Sequence, residues 1–204
     1  MTARIALFDL GNVVVDWRPA RLYEKRFGDA DAAARFLAEI DAMNWHKNHD
    51  SGTPMDETIP ALIEDFPHHA DHIRAWKTEW MEMFEGYVPG VPELIGRLEA
   101  AETPLYALSN MATETAKPIF DRFRIINVFR DIVVSGDHGV IKPDREIYDI
   151  TLARMGDPDP SDVLFIDDRR ENIEAAEALG FHGHVFTDAA ELERVLLDHQ
   201  LIAP

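Results

Sequence analysis

Residues 4–13 read RIALFDLGNV. A short apolar run that stops at a carboxylate is typical of a buried strand with a polar residue at its C-terminal end, here Asp9. Three later segments repeat this pattern, and they are Leu105–Leu108, Ile132–Val134 and Val163–Ile166. We therefore predict that these segments lie side by side in one buried sheet.

Amphipathic stretches alternate with the apolar runs in the second half of the chain. Helical periodicity is clearest in Pro92–Ala101, Arg145–Met155, Arg170–Leu179 and Ala189–His199. Strands that alternate with helices favour parallel pairing, because each return to the start of the sheet needs a crossover. The sequence predicts an α/β fold in which a Rossmann-like parallel sheet carries helices on both faces.

The segment from Trp17 to Gly86 breaks this alternation. It has helical periodicity at Leu22–Ile40, Met55–Phe66 and Ile73–Phe84, and none of its runs predicts a strand. We predict that it forms a small all-helical cap inserted after the first strand. In this division residues 17–87 are the helical cap, and residues 1–16 and 88–204 are the α/β catalytic core.

Composition limits the classes of function. The 204 residues are enough for one full core and a small accessory unit. A net charge of −18 and the lack of a Lys/Arg block argue against nucleic acid or an anionic membrane as partner. The absence of cysteine excludes a thiolate zinc site and a cysteine nucleophile. Residues 1–20 contain no signal-peptide or membrane-span pattern, so we expect a cytoplasmic location.

Polar side chains follow the predicted strands. They are Asp9 after the first run and then, in chain order, Ser109 and Asn110, Lys142, and Asp167 and Asp168. Each of them alone has a simple explanation as a helix cap or a turn residue. In open α/β sheets, however, ligands bind outside the carboxyl ends of the strands. The joint occurrence of these groups at one edge predicts a functional site.

Four motifs in this order resemble those of the haloacid dehalogenase (HAD) superfamily, a group dominated by phosphatases. They are Phe8-Asp9-Leu10-Gly11-Asn12-Val13, Leu108-Ser109-Asn110, Ile141-Lys142-Pro143-Asp144 and Phe165-Ile166-Asp167-Asp168-Arg169-Arg170-Glu171-Asn172. The helical insertion is similar to the small cap of subfamily I. The Asp-Leu-Gly-Asn start resembles a sugar-1-phosphate phosphatase group and the phosphatase-like N-terminal domain of epoxide hydrolases.

The resemblance implies covalent catalysis. Asp9 would be the nucleophile that forms an aspartyl-phosphate, with Ser109 and Lys142 as its catalytic partners, and water would then hydrolyse this intermediate. The implied Mg²⁺ site consists of Asp9, the backbone carbonyl of Gly11 and Asp168, with Asp167 and Asn172 supporting the metal or its waters. The residues expected to contact substrate are Ser109, Asn110, Lys142 and His49.

Position 11 departs from the family pattern. Phosphatases of this superfamily usually carry a second aspartate two residues after the nucleophile, which acts as general acid and base, and this chain has Gly11 there. A metal-independent 2-haloacid dehalogenase is therefore an alternative, since a halide leaves without a proton. A catalytically degenerate binding module is the second alternative. Asp167 and Asp168 favour the metal-dependent phosphatase, because paired carboxylates suit a hard cation and the dehalogenases resemble Ser-Ser-Asn at this place.

The helical insertion contributes a polar stretch, Trp45–Gly52, which we expect to form a loop facing the catalytic edge. His46 and His49 in this stretch are candidates for substrate contact or for the missing acid and base, since histidine titrates near neutral pH. Exposed histidines on an acidic surface are the simpler alternative. The expected substrates are small phosphorylated metabolites, with sugar phosphates first, and the expected protein is a monomer or homodimer that binds neither nucleic acid nor membrane.

Overall fold

The centre of the molecule is a parallel sheet. The structure is a computed structural model that describes residues 2–203. The strands of the sheet are β1 (Ile5–Phe8), β4 (Leu105–Ser109), β5 (Asp131–Val134), β6 (Val163–Asp167) and β7 (His182–Val185). Their order is β5-β4-β1-β6-β7, and β1 pairs in parallel with β4 on one side and β6 on the other. The C-terminal end of β1 is therefore flanked by the ends of both neighbours.

Both faces of this sheet are buried. Ala6 and Phe8 of β1 belong to one apolar cluster, and Leu7 belongs to a second cluster on the opposite face. The first cluster includes residues of helices α6 (Val91–Ala100), α7 (Thr113–Arg122) and α10 (Ala189–Asp198), and the second includes residues of α8 (Arg145–Arg154) and α9 (Arg170–Glu177). Burial on two faces explains why the strands read as continuous apolar runs. The predicted α/β fold with helices on both faces is confirmed.

A helical segment follows the first strand. It contains α1 (Pro19–Phe27), α2 (Ala30–Glu39), α3 (Ala42–Asp50), α4 (Met55–Asp65) and α5 (Ala70–Thr78). Its core is aromatic, since Tyr23, Phe36 and Trp76 are all buried. The ring of Tyr23 lies 4.6 Å from that of Phe36 and 6.2 Å from that of Trp76, measured between centroids. The helices between residues 2 and 203 are each too short or too polar to traverse a lipid bilayer.

A short ribbon joins the helical segment to the sheet. Strands β2 (Val15–Trp17) and β3 (Phe84–Tyr87) pair antiparallel, so the outgoing and returning chains run side by side. The prediction that no strand lies between Trp17 and Gly86 is therefore wrong. These strands are short, and β3 contains Gly86 and alternates only partly between buried and exposed positions. Such segments give almost no periodic signal in a sequence.

Two further predictions about the helical segment differ from the structure. The periodic stretch Leu22–Ile40 is broken, because Gly28 ends α1 in the left-handed conformation with φ of 65° and Asp29 caps α2 by accepting from Asp31 N. The stretch Trp45–Gly52, predicted as a loop, lies mostly in α3. Most residues of this stretch are polar, so its sequence shows no clear helical pattern, although tertiary contacts bury much of the helix.

The end of α3 is fastened to the sheet edge. Ser135, directly after β5, donates its hydroxyl to the backbone carbonyl of Asp50 at 2.6 Å. Two residues later Gly52 has φ of +92°, and a Cβ placed there would come within 2.8 Å of the carbonyl oxygen of Gly136. The backbone after α3 is thus in direct contact with the backbone of the loop after β5, and no side chain fits between them.

We expect Gly52→Ala to destabilise the protein by about 1–3 kcal/mol, because alanine adds both left-handed strain and a clash with a carbonyl group. Urea unfolding followed by circular dichroism measures the change. Gly96→Ala in α6 is the matched control, since a Cβ there meets nothing within 4 Å, and it should be neutral or stabilising by up to about 1 kcal/mol. A Gly52→Ala protein as stable as the control would contradict this account of the junction.

Candidate active site

Four strand-end segments line one cavity of about 660 Å³. Asp9 follows β1, Ser109 ends β4, Lys142 lies between β5 and α8, and Asp168 follows β6. Asn110 and Gly11 line the same space. The parallel sheet places these groups together because its strands all end at the same edge. The sequence-predicted clustering of these residues is therefore present in the structure.

Lys142 is the centre of a buried charge network. Its side chain is 1% exposed, and its Nζ lies 2.7 Å from Asp167 Oδ2, 3.1 Å from Asp9 Oδ1 and 2.9 Å from the carbonyl oxygen of Leu108. An ammonium group has three hydrogens to donate, and three acceptors surround this one. The contacts fix the amino group between the ends of β1, β4 and β6.

Two asparagines hold this network in place. Asn110 accepts a hydrogen bond from Lys142 N at 2.8 Å and donates to Lys142 O at 3.1 Å, so its amide clamps the backbone that carries the ammonium group. Asn172 donates from Nδ2 to both oxygens of Asp167, at 2.9 and 3.0 Å. Asp167 Oδ1 also accepts from Arg169 N. Asp167 is fully buried, and protein donors already bind both of its oxygens.

The turn after β1 sets the position of Asp9. Its Oδ1 accepts from Leu10 N at 2.6 Å, in addition to the contact with Lys142. Asn12 adopts φ of 58°, which asparagine tolerates well, and its side-chain oxygen accepts from Trp17 N. Position 11 is sterically open, since a Cβ on Gly11 would meet nothing within 4 Å. The missing second aspartate is thus not explained by lack of space.

The electrostatics of the cluster are dominated by negative charge. Burial raises the pKa of Asp9 to about 7, with Lys142 opposing the shift and Asp167 and Asp168 adding to it. Burial and the neighbouring Asp167 also raise the pKa of Asp168. Burial alone would lower the pKa of Lys142, but Asp167 and Asp9 outweigh it and hold that pKa above its usual range. Three carboxylates face this one ammonium group.

These carboxylates fit a hard divalent cation. Oxygen atoms of Asp9, Asp167 and Asp168 lie within 4.8 Å of one another. Carboxylate and backbone carbonyl oxygens are the ligands that Mg²⁺ prefers, and Gly11 lies beside them. Because Asp167 is already bonded to Lys142 and Asn172, the donors best placed for direct contact are Asp9 and Asp168.

The opposite wall of the cavity comes from the helical segment and the ribbon. Trp17, Trp80 and Phe84 form its aromatic part, with centroids of Trp17 and Trp80 5.8 Å apart. The indole nitrogens of both tryptophans are buried and have no hydrogen-bond partner within residues 2–203. His46 and Asp50 of α3 also line the cavity. A ligand at Asp9 would therefore have its other end against this wall.

His49 does not line the cavity. Its side chain is fully buried, with Nε2 2.6 Å from Thr58 Oγ1 and Nδ1 3.3 Å from His46 Nδ1. Both ring nitrogens thus have protein neighbours, and the direct contact with substrate predicted from the sequence is not supported by this geometry. The histidine that faces the cavity is His46, one helical turn before Asp50.

Asp50 is a cavity residue that was not predicted from the sequence. It belongs to the polar stretch Trp45–Gly52, in which only the histidines titrate near neutral pH when unperturbed. The spacing of His46 and Asp50, four residues apart, would place both on one face of a helix. The sequence indicates this shared face only when the stretch is predicted to be helical.

We expect Lys142→Met to lower the free energy of unfolding by about 3–5 kcal/mol, because it leaves Asp9 and Asp167 buried without their cation. The loss should be greater at pH 8 than at pH 6, since burial raises the pKa of Asp9 to about 7 and this carboxyl group carries less charge at pH 6. Urea titration in chelator-containing buffer measures it. Lys117→Met is the matched control, because Lys117 is exposed and its ion pair with Asp121 is exposed as well. A similar small effect for both variants would show that the buried network contributes little.

Sequence comparisons point to one family. The sequence model described as haloacid dehalogenase-like hydrolase matches residues 3–180. The sesquiterpene phosphatase of Aspergillus oryzae is 23% identical over 92% of this chain and 92% of its own length. The chloroplast flavin mononucleotide hydrolase 1 of Arabidopsis thaliana is 30% identical over 59% of this chain, and phosphoglycolate phosphatase of Escherichia coli is 28% identical over 56%. The matches span 48% and 47% of these last two proteins, about half their length.

Solved structures share the fold. A HAD family enzyme from Bacteroides thetaiotaomicron superposes with a TM-score of 0.72 at 18% identity, covering 96% of this chain and 99% of that one. The same enzyme in complex with magnesium and inorganic phosphate gives a TM-score of 0.66 at 20% identity, over 93% and 98%. A dehalogenase gives 0.64 at 19% identity, over 89% and 83%. With the family match across residues 3–180, the chain belongs to the haloacid dehalogenase-like hydrolases.

Proposed function

We propose that this protein hydrolyses small phosphate monoesters with Mg²⁺ through an aspartyl-phosphate on Asp9. The observation that carries the proposal is the cavity in which Asp9 lies 3.1 Å from the buried ammonium group of Lys142, with Asp168 beside them. A carboxylate nucleophile, a fixed cation and a further metal-binding carboxylate together match phosphoryl transfer better than halide displacement. The phosphatase relatives support the same reaction class.

In the proposed reaction, a carboxylate oxygen of Asp9 forms a bond to phosphorus while the bond from phosphorus to the ester oxygen breaks. Water then attacks the aspartyl-phosphate and releases inorganic phosphate. Lys142 keeps its charge beside Asp9 and offsets the repulsion between the carboxylate and the incoming phosphate. The hydroxyl of Ser109 donates to a phosphoryl oxygen in this scheme, as an uncharged partner of Lys142.

The proposed metal ligands are Asp9, Asp168 and the backbone carbonyl of Gly11. When bound, Mg²⁺ would neutralise part of the phosphate charge and polarise a phosphoryl oxygen. Asp167 would act beside this site, because it holds Lys142 at 2.7 Å and is itself held by Asn172. Asn110 would act through its two bonds to the Lys142 backbone.

The helical segment is proposed to act as the cap that selects the substrate, with residues 17–87 as the cap and the remainder as the catalytic core. The cavity of about 660 Å³ is large enough for a small metabolite, and its aromatic wall offers ring faces opposite Asp9. Sugar phosphates and similar small esters fit this combination, since sugar rings present apolar faces to aromatic side chains. The relatives act on different phosphorylated compounds, so a panel of esters is the appropriate first assay.

We expect inorganic phosphate release from such a panel to require Mg²⁺ and to stop with excess EDTA. Asp9→Asn should reduce kcat by about 10³-fold or more, because the nucleophile is lost. Asp71→Asn is the control, as Asp71 is exposed on α5 and should leave turnover unchanged. Metal-independent halide release from a 2-haloacid would support the dehalogenase instead. Binding of phosphorylated compounds without turnover would support a degenerate site.

The affinity for Mg²⁺ should depend on pH. Since burial raises the pKa of Asp9 to about 7, this ligand is mostly protonated at pH 6 and mostly ionised at pH 8. A proton must leave before the metal binds, so the affinity should be about tenfold weaker at pH 6 than at pH 8. Isothermal titration calorimetry in two buffers measures both affinity and proton release. Equal affinity at the two pH values would contradict the proposed role of Asp9 as a ligand.

A further inference from the structure

The proposed reaction needs a proton donor that position 11 does not supply. When the phosphorus–oxygen bond of an alkyl ester breaks, the departing oxygen must be protonated, and a positioned acid typically contributes 10²–10⁴-fold to the rate. Gly11 has no side chain for this purpose. The donor must then come from another carboxyl, imidazole or water at the same cavity.

We propose that Asp50, the last residue of α3, is the general acid and base that takes the place of the missing aspartate. This inference rests on the proposed function and identifies a further catalytic residue for it. Asp50 lines the same cavity as Asp9, Ser109 and Lys142 and is 8% exposed. It reaches the site from the helical segment, whereas the family places its acid two residues after the nucleophile.

One oxygen of Asp50 has no hydrogen bond. Asp50 Oδ1 is buried and lacks a partner within residues 2–203, although His46 Nε2 lies 3.3 Å away in poor alignment. A buried carboxylate oxygen without a partner is costly, so proteins usually satisfy such atoms. Because Oδ1 is closed to solvent, the carboxyl group can reach a ligand in the cavity only through its other oxygen, Oδ2, and a protonated Oδ2 would donate to the leaving-group oxygen of a phosphate ester.

The backbone of Asp50 is held against the catalytic core. Its carbonyl accepts from Ser135 Oγ at 2.6 Å, and Ser135 Oγ in turn accepts from Met111 N at 3.0 Å. The close approach of Gly52 to Gly136 reinforces this contact. Met111 lies two residues after Ser109, the last residue of β4, so two hydrogen bonds connect Asp50 to the segment that follows this strand. The carboxyl group is thereby positioned from the sheet edge, not by its own helix alone.

The surroundings favour the protonated form that an acid needs. Burial raises the pKa of Asp50 to about 7, and the charge of Asp9 adds to this shift, while Lys142 and Arg169 oppose it. His46 offers no compensating charge, because burial lowers its pKa to about 3. An acid that titrates close to the working pH can both give and take a proton.

The proton balance closes with Asp50 alone. The carboxyl of Asp50 gives its proton to the ester oxygen as that oxygen leaves phosphorus and Asp9 bonds to phosphorus. The resulting carboxylate then takes a proton from the water that attacks the aspartyl-phosphate. The water oxygen bonds to phosphorus as the bond from phosphorus to Asp9 breaks. This step regenerates the Asp9 carboxylate, releases inorganic phosphate and consumes one water.

Other groups are less well placed for this role. Asp16 is bonded to Arg21 at 2.8 Å and does not line the cavity. Asp41 lines the cavity but is exposed at the opposite end of α3. His46 stays neutral because its pKa is low, so it has no imidazolium proton to give near pH 7.

The decisive experiment compares esters whose leaving groups differ in their need for a proton. Asp50→Asn should lower kcat/KM, which reports the phosphorylation of Asp9, by about 10²–10⁴-fold for an alkyl phosphate and by less than about tenfold for 2,4-dinitrophenyl phosphate, because that phenolate leaves without protonation. Asp71→Asn makes the same chemical change at an exposed position of α5 outside the cavity and should leave both values unchanged. Urea unfolding establishes that each variant is folded.

A rescue variant makes the test independent of structural damage. Because a Cβ at position 11 meets nothing within 4 Å, the backbone there has room for a side chain to start, and Gly11→Asp can be added to Asp50→Asn. The double variant should recover at least about tenfold of the lost alkyl phosphatase rate. An equal loss of kcat/KM for both esters, or no loss for either, would overturn the role of Asp50 as the acid. Wild-type protein that hydrolyses neither ester with Mg²⁺ would refute the proposed function itself, and this inference with it.

Discussion

The ammonium group of Lys142 is the interaction on which the rest of the site depends. It is bonded at once to the end of β4 through Leu108 O, to Asp9 after β1 and to Asp167 at the end of β6. Two carboxylates buried this close together would otherwise repel each other and lose their hydration without compensation. One amino group thus lets three neighbouring strand ends converge, and it leaves a net negative cavity that a divalent cation would suit.

The edge of the sheet that carries the candidate site could be predicted from the sequence because the strand signal is strong. An apolar run that is buried on both faces, such as Val163–Ile166, leaves its first polar residue at the edge of the sheet, and parallel pairing brings all such ends together. β7 gives no comparable signal, since its sequence is His-Gly-His-Val at the edge of the sheet. The sequences of β2 and β3 also give no strand signal, because pairing between two short segments far apart in the chain leaves no local pattern.

The contribution of α3 could not be predicted for a related reason. Its sequence from Ala42 to Asp50 is mostly polar, yet Trp45, His46 and His49 are buried among aromatic side chains. Burial of polar groups there depends on partners far away in the chain, as in the bond between Asp50 and Ser135, 85 positions apart. A local sequence pattern predicts which residues are exposed from their polarity. The prediction fails where tertiary contacts bury polar residues, as they do in α3.

Placing the proposed acid on α3 changes what controls the reaction. An acid two residues after the nucleophile is held at its distance by one turn of backbone, whatever the helical segment does. Asp50 instead depends on the contacts through Ser135 and Gly52, which exist only while α3 rests against the sheet edge. In the proposed mechanism, attack by Asp9 would use groups of the core alone, whereas protonation of the leaving group would need the core and the helical segment in contact. Under this proposal, an ester with a poor leaving group would react only while α3 rests against the sheet edge, and this would link enclosure of the substrate to the proton transfer.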